Sequence, residues 1–495
     1  MRTISLQEVA QHNKKDDAWV ILHGRVYDLT SFLPDHPGGQ KIIMKYAGKD
    51  GTKAFEPIHP PDIIDRYLSA DVCVGHVVAP AAGEEQQEEE AEDDKRLRLA
   101  REKMPRLDEM YNAFDFESVA KTILKTDAWY YFSSGADDEV SMRENHNAFH
   151  RVWLRPRVMV DVAKIDMNTT MLGDKVSMPL YLSATALGKM AHPDGEKVLA
   201  RAAGKCGVIQ MIPTFASCSM DEIVNARIQP NQSQWLQLYV NPNREMSRRI
   251  IEQAEAKGVK GLFITVDTAT VGRREKDLRQ KYTHEGPSDM QDGDLDRSGG
   301  TAKSMSSLVD MSLNWSDIAW FRSLTNMPIV LKGIQTGEDA VLAARHKVAG
   351  IVISNHGGRQ LDFAPSPIEI LPEVMDALKR ERLENDIEVY IDGGIRRGSD
   401  IFKAIALGAK AVGIGRPYLY AMACYGEKGV ERLLDLYQNE LEMCMRLMGT
   451  PTLAHIKPEM VDIRNLKDHF VANPTDYLAK HAYERMQPRG NFSKL

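Results

Sequence analysis

The chain has 495 residues, of which 43% are hydrophobic and 27% are charged, and its formal net charge is -7 at pH 7. This length exceeds that of one ordinary domain, so two or more folded units are expected. The negative charge argues against nucleic acid or an anionic membrane as the main partner. No uncharged run is long enough to span a bilayer, and no secretory signal is visible at the start, which predicts a cytoplasmic protein.

Cysteine spacing excludes two kinds of metal site. The chain has five cysteines, and no two of them form a CxxC pair. A cysteine-ligated iron–sulfur cluster and a structural zinc site are therefore not indicated, and free thiols in a reducing compartment are expected. These residues are Cys73, Cys206, Cys218, Cys424 and Cys444.

Residues 1–80 predict a small compact unit with two histidines on rigid loops. Short strands are expected at Trp19–Leu22 and Arg25–Leu29, on either side of a two-residue turn. His36 lies in a His-Pro-Gly-Gly motif, and His59 follows 23 residues later between prolines. Two histidines held in this way can bind a planar metal macrocycle from both faces. The absence of CxxCH means that any haem would be held without a covalent bond.

On the His-Pro-Gly-Gly motif and the second histidine, this unit resembles the cytochrome b5-type haem-binding domain. The resemblance implies a small α+β fold, non-covalent haem b, and His36 and His59 as the axial ligands of the iron. With both axial positions filled by the protein, the iron would carry single electrons rather than activate oxygen.

A charged segment follows the first unit. Residues 84–94 are mostly acidic, and the stretch Lys95–Lys103 is basic. Such a charge run is typical of a solvated linker, here residues 81–106, which would let the first domain swing relative to the next.

Residues 107–460 alternate apolar runs with helical patterns. Eight apolar runs, most of them about 20–30 residues apart, each close with a polar residue or glycine. This rhythm is typical of a (β/α)₈ TIM barrel, whose chemistry lies on the loops after the strands. The predicted strands are Pro179–Thr185, Gly207–Ile212, Gln234–Val240, Gly261–Asp267, Pro328–Gly333, Gly350–Asn355, Ile387–Gly393 and Ala411–Arg416.

Two stretches fall outside the barrel rhythm. A polar insertion at Glu275–Ser312, after the fourth predicted strand, is interpreted as a lid or a protease-sensitive loop. The polar residues 461–495 are interpreted as a C-terminal tail.

The sixth predicted strand ends in the most informative segment of the chain, Ser-Asn-His-Gly-Gly-Arg-Gln-Leu-Asp. Here His356 can accept a proton and Arg359 can bind a carboxylate, while Gly357 and Gly358 let a flat ligand approach the backbone. Taken alone, the segment fits a catalytic turn and an ordinary strand-to-helix turn about equally well. Polar residues at the ends of the other strands favour catalysis, because they converge on the same face; they include Ser183, Gln237, Tyr239, Thr265, Asp267, Arg274 and Lys332.

The last two strands are followed by glycines and arginines. In barrels this position binds phosphate through backbone N–H groups and guanidinium groups. No GxGxxG motif follows a strand, so a Rossmann dinucleotide site is not indicated. The predicted phosphate site contains Gly393, Gly394, Arg396, Gly415 and Arg416.

On the motif around His356, residues 110–460 resemble the FMN-dependent family that oxidises 2-hydroxy acids and includes glycolate oxidase, lactate oxidase and mandelate dehydrogenase. The resemblance implies that His356 is the active-site base and Asp267 its ion-pair partner. It implies that Tyr239 and Lys332 are also catalytic, with Lys332 at the pyrimidine edge of the flavin. The implied substrate-binding residues are Tyr131, Tyr239, Arg274 and Arg359. The implied FMN-binding residues are Ala184, Thr185, Ala186, Gln237, Thr265, Lys332, Asp392, Gly393, Gly394, Arg396, Gly415 and Arg416.

With a haem domain upstream, the resemblance implies oxidation of L-lactate or a similar small L-2-hydroxy acid to the 2-oxo acid. Electrons would pass from FMN singly to haem and then to an acceptor such as cytochrome c. It also implies a homotetramer, and the mitochondrial intermembrane space as an alternative to the cytoplasm. The residue types leave open whether His356 takes the carbon-bound or the hydroxyl proton.

Two other functions compete with this prediction. One is a 2-hydroxy-acid oxidase that delivers electrons to O₂ and uses the haem domain for regulation. The other is a non-catalytic haem-carrying electron shuttle or sensor on an inert barrel, which the intact set of His356, Asp267 and Arg359 argues against.

The chain departs from the family pattern near the flavin. Pro213 stands where relatives commonly have a serine, and it offers neither a hydroxyl nor an N–H group; Thr214 is the candidate to replace that contact. Phe215 and Ala186 are expected to border the pocket for the 2-substituent. A ring at this position favours lactate or glycolate over mandelate.

Overall fold

The computed structural model describes residues 2–34, 36, 40–56, 59, 63–64, 68–77, 92–280 and 309–469. The centre of the predicted insertion, most of the acidic run, residues 37–39 of the histidine motif and the chain after residue 469 lie outside this set. Within it, no helix combines the length and apolar character needed to cross a membrane.

The N-terminal unit is built on a five-stranded sheet. The predicted hairpin is confirmed, with strands Asp17–Leu22 and Arg25–Asp28. Its turn residues His23 and Gly24 have φ of 53° and 74°, the left-handed pair that matches the twist of a tight hairpin. The other strands are Arg2–Ile4, Asn13–Lys14 and Cys73–Val77, and the described helices include Leu6–Val9, Gln40–Tyr46 and Thr52–Phe55.

The second half of the predicted linker differs from the expectation. Helix Glu92–Glu102 packs against the next helix instead of being solvated. Its Leu97 is buried, and its Arg96 guanidinium donates to the carbonyls of Thr122 and Leu124 at 2.7 and 3.1 Å. These contacts satisfy carbonyls at the end of a helix, which the charge pattern alone could not reveal. The helices before the barrel are Ala113–Ile123, Thr126–Ser133 and Val140–His150.

Eight parallel strands close into a barrel in chain order, as the apolar runs predicted. Each strand is short and buried on both faces, because helices cover the outside and side chains fill the inside. The strands are Leu180–Leu182, Ile209–Ile212, Gln234–Leu238, Leu262–Thr265, Ile329–Ile334, Gly350–Ile353, Glu388–Asp392 and Ala411–Ile414. The main helices around them are Glu196–Cys206, Met220–Asn225, Arg244–Ala256, Ile318–Leu324, Gly337–Arg345, Pro367–Arg380, Gly398–Ala406 and Arg416–Met448.

The inside of the barrel is filled with large side chains. The rings of Trp235 and Phe263 stack with their centres 4.6 Å apart. A hairpin formed by strands Thr169–Met171 and Asp174–Val176 adds apolar side chains to the same interior cluster. This packing leaves the opposite, carboxyl end of the strands for a cavity. The cluster contains Met171, Val176, Tyr181, Ile209, Met211, Trp235, Phe263, Val330, Val352, Tyr390 and Ala411.

The barrel domain extends past the predicted boundary at residue 460. Strand Val461–Asp462 pairs antiparallel with Trp153–Leu154. Leu466 is buried, and its carbonyl accepts from Arg151 Nε at 3.1 Å. The first residues of the predicted tail therefore belong to the barrel domain.

Candidate active site and haem-binding site

A cavity of about 270 Å³ lies at the carboxyl ends of the barrel strands. Residues in or just after every one of the eight strands line it, as expected for a barrel enzyme. All but two of the predicted barrel site residues lie on its wall; the exceptions, Asp267 and Thr265, are buried directly behind it. The predicted residues on the wall are Tyr131, Ala184, Thr185, Ala186, Gln237, Tyr239, Arg274, Lys332, His356, Arg359, Asp392, Gly393, Gly394, Arg396, Gly415 and Arg416.

The imidazole of His356 is held between two side chains. Its Nδ1 lies 2.9 Å from Asp267 Oδ1 and 3.2 Å from Oδ2, so Nδ1–H donates to the carboxylate. Its Nε2 lies 3.0 Å from the Tyr239 hydroxyl. This arrangement sets the tautomer and leaves Nε2 as the nitrogen that can accept a proton at the cavity.

Burial and neighbouring charges set the protonation states of this group. Burial by itself would raise the pKa of Asp267, but the His356 imidazole and the Lys332 ammonium bring it down to about 2. Burial, together with the Lys332 and Arg274 charges, lowers the pKa of His356 below its ordinary value even though Asp267 opposes this shift. Burial raises the pKa of Tyr239 to about 12. The site therefore contains a neutral imidazole beside an ionised carboxylate and a protonated phenol.

The backbone that carries His356 is strained. His356, Gly357 and Gly358 have φ of 60°, 66° and 73°, three left-handed residues in succession. A Cβ atom at Gly358 would lie 2.4 Å from the backbone nitrogen of Met142, so only glycine fits there. A non-glycine residue in this region costs on the order of 1–3 kcal/mol, and such strain is usual at functional sites.

Polar side chains for which the sequence predicted no role hold the turn that carries His356. Ser354 Oγ accepts from the His356 N–H at 3.0 Å. Asn355 and Asn145 form a reciprocal amide pair, with N···O distances of 2.7 and 2.8 Å, and both are buried. Gln360 donates to the carbonyl of Asp267 at 3.1 Å. Ser354, Asn355 and Gln360 lie within the segment around His356, so the sequence held a signal for them. Asn145 had no such signal, because it is 210 residues away in the chain from Asn355.

Two guanidinium groups face the cavity on the side of Tyr131. Arg359 Nη1 donates to the carbonyls of Tyr131 and Ser134 at 2.9 and 2.8 Å. Burial, and next the Arg359 charge, lower the pKa of Arg274 to about 9. Within the described part of the chain, neither arginine forms an ion pair shorter than 4 Å. Two buried cations that repel each other suit an anionic ligand such as a carboxylate.

Another part of the wall fits a flavin phosphate and ring. Arg396 and Arg416 lie beside the glycines that follow the last two strands, and burial, with Arg359, lowers the pKa of Arg416 to about 10. A Cβ atom at Gly394 would lie 1.9 Å from the carbonyl oxygen of Asn145, so the chain passes there only without a side chain. Positive charge together with bare backbone is what a phosphate group needs.

Unpartnered polar atoms on the wall also suit a polar ring system. Asp392 Oδ1 and Ser183 Oγ are buried and have no hydrogen-bond partner among the described residues. Lys332 Nζ lies 3.7 Å from Asp392 Oδ2. Burial would lower the pKa of Lys332, but the Asp392 and Asp267 carboxylates raise it above its ordinary value. A charged lysine next to free acceptors can bind the flavin's edge and stabilise negative charge on it.

Gln237 is held by hydrogen bonds to Thr265 and Thr214. Gln237 Nε2 donates to Thr265 Oγ1 at 2.8 Å, so Thr265 orients Gln237 from behind the wall. Pro213 lies on the wall, but the Thr214 hydroxyl donates to the Gln237 carbonyl at 2.7 Å and accepts from the Tyr239 N–H at 2.8 Å. Thr214 therefore supports the third barrel strand and does not take the place of a hydroxyl at Pro213.

The two histidines of the N-terminal unit face each other. Their ring centres lie 6.1 Å apart with 37° between the planes. Two imidazoles that bind opposite faces of one iron through nitrogens about 2 Å from the metal place their ring centres about 6 Å apart. The positions of His36 and His59 therefore fit a bis-histidyl haem iron.

The surroundings of His59 prepare it for metal binding. Its Nδ1 lies 3.2 Å from the Phe55 carbonyl, which leaves Nε2 free as the ligand atom, and its ring stacks on the Phe55 ring at 4.3 Å. Burial, together with the smaller effect of the neighbouring His36, lowers the pKa of His59 to about 4, so the imidazole is neutral and able to ligate. Partly buried apolar side chains pack around this region, including Phe32, Met44, Phe55, Ile64, Leu68 and Val72.

Comparison with known proteins supports both halves of this assignment. Residues 5–78 match the family of cytochrome b5-like heme/steroid binding domains, and residues 120–463 match the FMN-dependent dehydrogenase family. The chain is 52% identical over 480 residues to L-lactate dehydrogenase (cytochrome) of Wickerhamomyces anomalus, covering 97% of this chain and 83% of that protein. The protein of the same name in Saccharomyces cerevisiae is 46% identical over 491 residues, with the same coverage.

Relatives that align with only part of the chain, and solved structures, support the same fold assignment. Glycolate oxidase of Spinacia oleracea is 41% identical over 356 residues, which cover 70% of this chain and 94% of that protein. A flavocytochrome b2 variant with benzoylformate superimposes with a TM-score of 0.72 and is 44% identical, covering 82% of this chain and 99% of that one. A mandelate oxidase variant has a TM-score of 0.63 and 32% identity, covering 71% of this chain and 98% of that one. The chain therefore belongs to the FMN-dependent dehydrogenase family and carries a haem-binding domain of the cytochrome b5 type, which confirms the predicted fold class and the predicted pair of cofactors.

Proposed function

We propose that the protein oxidises L-lactate, or a similarly small L-2-hydroxy acid, to the 2-oxo acid. The observation that supports this most directly is the His356–Asp267 pair, whose Nε2 faces the cavity beside the Tyr239 hydroxyl, together with two guanidinium groups on the wall that form no ion pair with any described residue. The names and high identity of the full-length relatives support lactate as the substrate. FMN, when bound, supplies a two-electron acceptor that can be reoxidised in single-electron steps.

Different residues bind the substrate and remove its proton. Arg359 and Arg274 bind the substrate carboxylate, which sets the orientation of the 2-carbon toward His356. Tyr131 and Tyr239 contribute hydroxyls to the same pocket. His356 accepts the substrate proton at Nε2, and Asp267 stabilises the resulting imidazolium through Nδ1–H. The remaining wall residues named above hold the flavin, with Lys332 charged at its edge.

The haem domain gives the electrons a second carrier. His36 and His59 are placed to hold a haem between them, and a haem held there would supply a carrier of single electrons. We propose a cytochrome, of which cytochrome c is the example, as the final acceptor. The relatives named L-lactate dehydrogenase (cytochrome) support this proposal.

Assembly and domain division are further proposals. We infer a haem domain at residues 1–80 and a barrel domain that begins at Glu92 instead of residue 107, because helix Glu92–Glu102 packs on the barrel side of the chain. It ends after Leu466 instead of residue 460. A homotetramer, and a location in the cytoplasm or the mitochondrial intermembrane space, remain predictions that size measurement and fractionation can test.

The direct test is optical. Adding L-lactate to the purified holoprotein without oxygen should bleach the oxidised flavin and then reduce the haem within the same sample. Addition of oxidised cytochrome c should return the haem to its oxidised state. If lactate bleaches the flavin but the haem stays oxidised, and peroxide forms in air at the rate of lactate consumption, the oxidase alternative is correct. A flavin that no 2-hydroxy acid reduces would contradict the proposal.

The rate of flavin reduction should depend on pH through His356. Because the base must be neutral and burial lowers its pKa, kcat/KM for lactate should fall only below pH 6.5, the ordinary histidine value. Asp267→Asn removes the negative charge that opposes this shift, so the acid limb should move to still lower pH while the maximal rate falls by about 10²-fold or more. Stopped-flow flavin reduction across pH measures both effects. An acid limb that is unmoved in Asp267→Asn would contradict the assignment of this limb to His356.

A further inference from the structure

Glu196 carries a buried carboxylate that no part of the mechanism uses. The residue is 0% exposed, and it does not line the cavity. Its oxygens accept from the N–H groups of Gly188, Ser217 and Cys218 at 2.8, 3.0 and 3.0 Å. The Ser217 hydroxyl donates to the same carboxylate at 3.0 Å. In the described ranges it forms no ion pair, so these backbone N–H groups and the Ser217 hydroxyl stabilise the buried carboxylate.

These donors come from two different loops. Gly188 follows the first barrel strand, whereas Ser217 and Cys218 follow the second. The loops are also joined directly, because the Leu187 N–H donates to the Phe215 carbonyl at 3.1 Å. Leu187 is left-handed, with φ of 61°, and a Cβ atom at Gly188 would lie 2.9 Å from the Glu196 carboxyl carbon. The first loop is thus strained and closely packed, and the carboxylate holds it against the second.

The residues next to these bonds face the substrate cavity. Ala186 precedes Leu187, and both Ala186 and Phe215 line the wall. The Phe215 ring stacks on the Tyr239 ring, with centres 5.3 Å apart and 20° between the planes. The separation of the two loops therefore controls how much room lies between Ala186 and Phe215.

We propose that Glu196 is a positioning residue that sets the selectivity of the enzyme for the size of the substrate's 2-substituent. Its carboxylate holds the first and second loops together, and this fixes Ala186 and Phe215 around the group attached to the 2-carbon. The inference rests on the proposed function, because selectivity has meaning only for an enzyme that oxidises 2-hydroxy acids.

The test is the ratio of kcat/KM for L-lactate to that for L-2-hydroxyhexanoate, measured on holoenzyme. In Glu196→Gln the side-chain amide has one acceptor oxygen, and its NH₂ group faces backbone donors, so the loops must separate. We expect the ratio to shift about tenfold toward the longer acid, while FMN remains bound and lactate still reduces it. Ser217→Ala removes one donor to the carboxylate and should shift the ratio in the same direction by about threefold, which gives a second, milder variant.

Glu388→Gln is the matched control. The Glu388 carboxylate also accepts a backbone N–H, that of Leu172 at 3.0 Å, but it lies at the amino end of the barrel strands. Its substitution should leave the ratio unchanged. An equal loss of kcat/KM for both acids in Glu196→Gln and Ser217→Ala would show a merely structural role and overturn the inference. Lactate oxidation by the unmodified enzyme, measured first, separates this result from a failure of the proposed function.

Discussion

Replacing His356 by glutamine is expected to lower the rate of flavin reduction by lactate by about 10²- to 10⁴-fold, the range that a positioned base contributes. Glutamine keeps a polar group of similar length but cannot accept a proton near neutral pH. Asp267 would then lose the Nδ1–H donor at 2.9 Å, and Tyr239 the acceptor at 3.0 Å. Stopped-flow measurement of flavin bleaching gives the rate, and the absorption spectrum before mixing shows whether FMN and haem are still present.

His346→Gln is the control for His356→Gln. His346 stacks on Trp315, with ring centres 5.4 Å apart, and it does not line the cavity. Its substitution should leave flavin reduction unchanged. Near-normal turnover of His356→Gln with both cofactors bound would remove His356 from the role of base, whatever the other residues do.

Replacing His36 by alanine is expected to abolish haem binding while flavin reduction by lactate continues. The iron would lose one of two axial nitrogens, and alanine offers no ligand atom. Electron transfer to cytochrome c should fall with the haem content, because the flavin would have no adjacent single-electron carrier. His59→Ala should give the same result, since the two rings lie 6.1 Å apart on opposite sides of the same site. Haem content is read from the absorption spectrum of the purified protein.

His76→Ala is the matched control in the same domain. His76 is exposed on strand Cys73–Val77, and its Nε2 lies 3.3 Å from the Thr3 hydroxyl. The variant should keep its haem and its rate of cytochrome c reduction. Normal haem content in His36→Ala would contradict the ligand assignment. Loss of flavin reduction in His36→Ala with FMN still bound would instead show that the two units are not chemically separate.

The sequence predicted most where a single local pattern of residues was enough to indicate a structure or a site. Apolar runs closed by polar residues predicted all eight barrel strands, because buried parallel strands must be apolar on both faces. The glycines after His356 marked left-handed backbone that other residues rarely adopt, and the His-Pro-Gly-Gly motif pointed to a haem ligand. Since strand ends of a barrel meet at one face, the strand-terminal residues could be grouped in one site before any distance was known.

Contacts between distant parts of the chain required the tertiary structure. The Asn145–Asn355 pair and the carboxylate clamp of Glu196 leave no local signal, because their partners are on other elements of the fold. Thr265 is predicted to bind FMN, and its contact with Gln237 depends on how two neighbouring strands pack. The charge pattern of residues 81–106 suggested a solvated linker, but Arg96 and Leu97 anchor its second half to the next helix.

The sequence by itself thus determined the fold class and the two cofactor types, and it predicted the residues proposed for the reaction, including Asp267 as the partner of His356, since each depends on residue identity in a local motif. The tertiary structure alone decided which nitrogen of His356 faces the cavity and which carboxylate holds the pocket loops. The physical reason is that a hydrogen bond requires a donor and an acceptor within about 3 Å, and spacing along the chain does not specify that distance for residues on different strands.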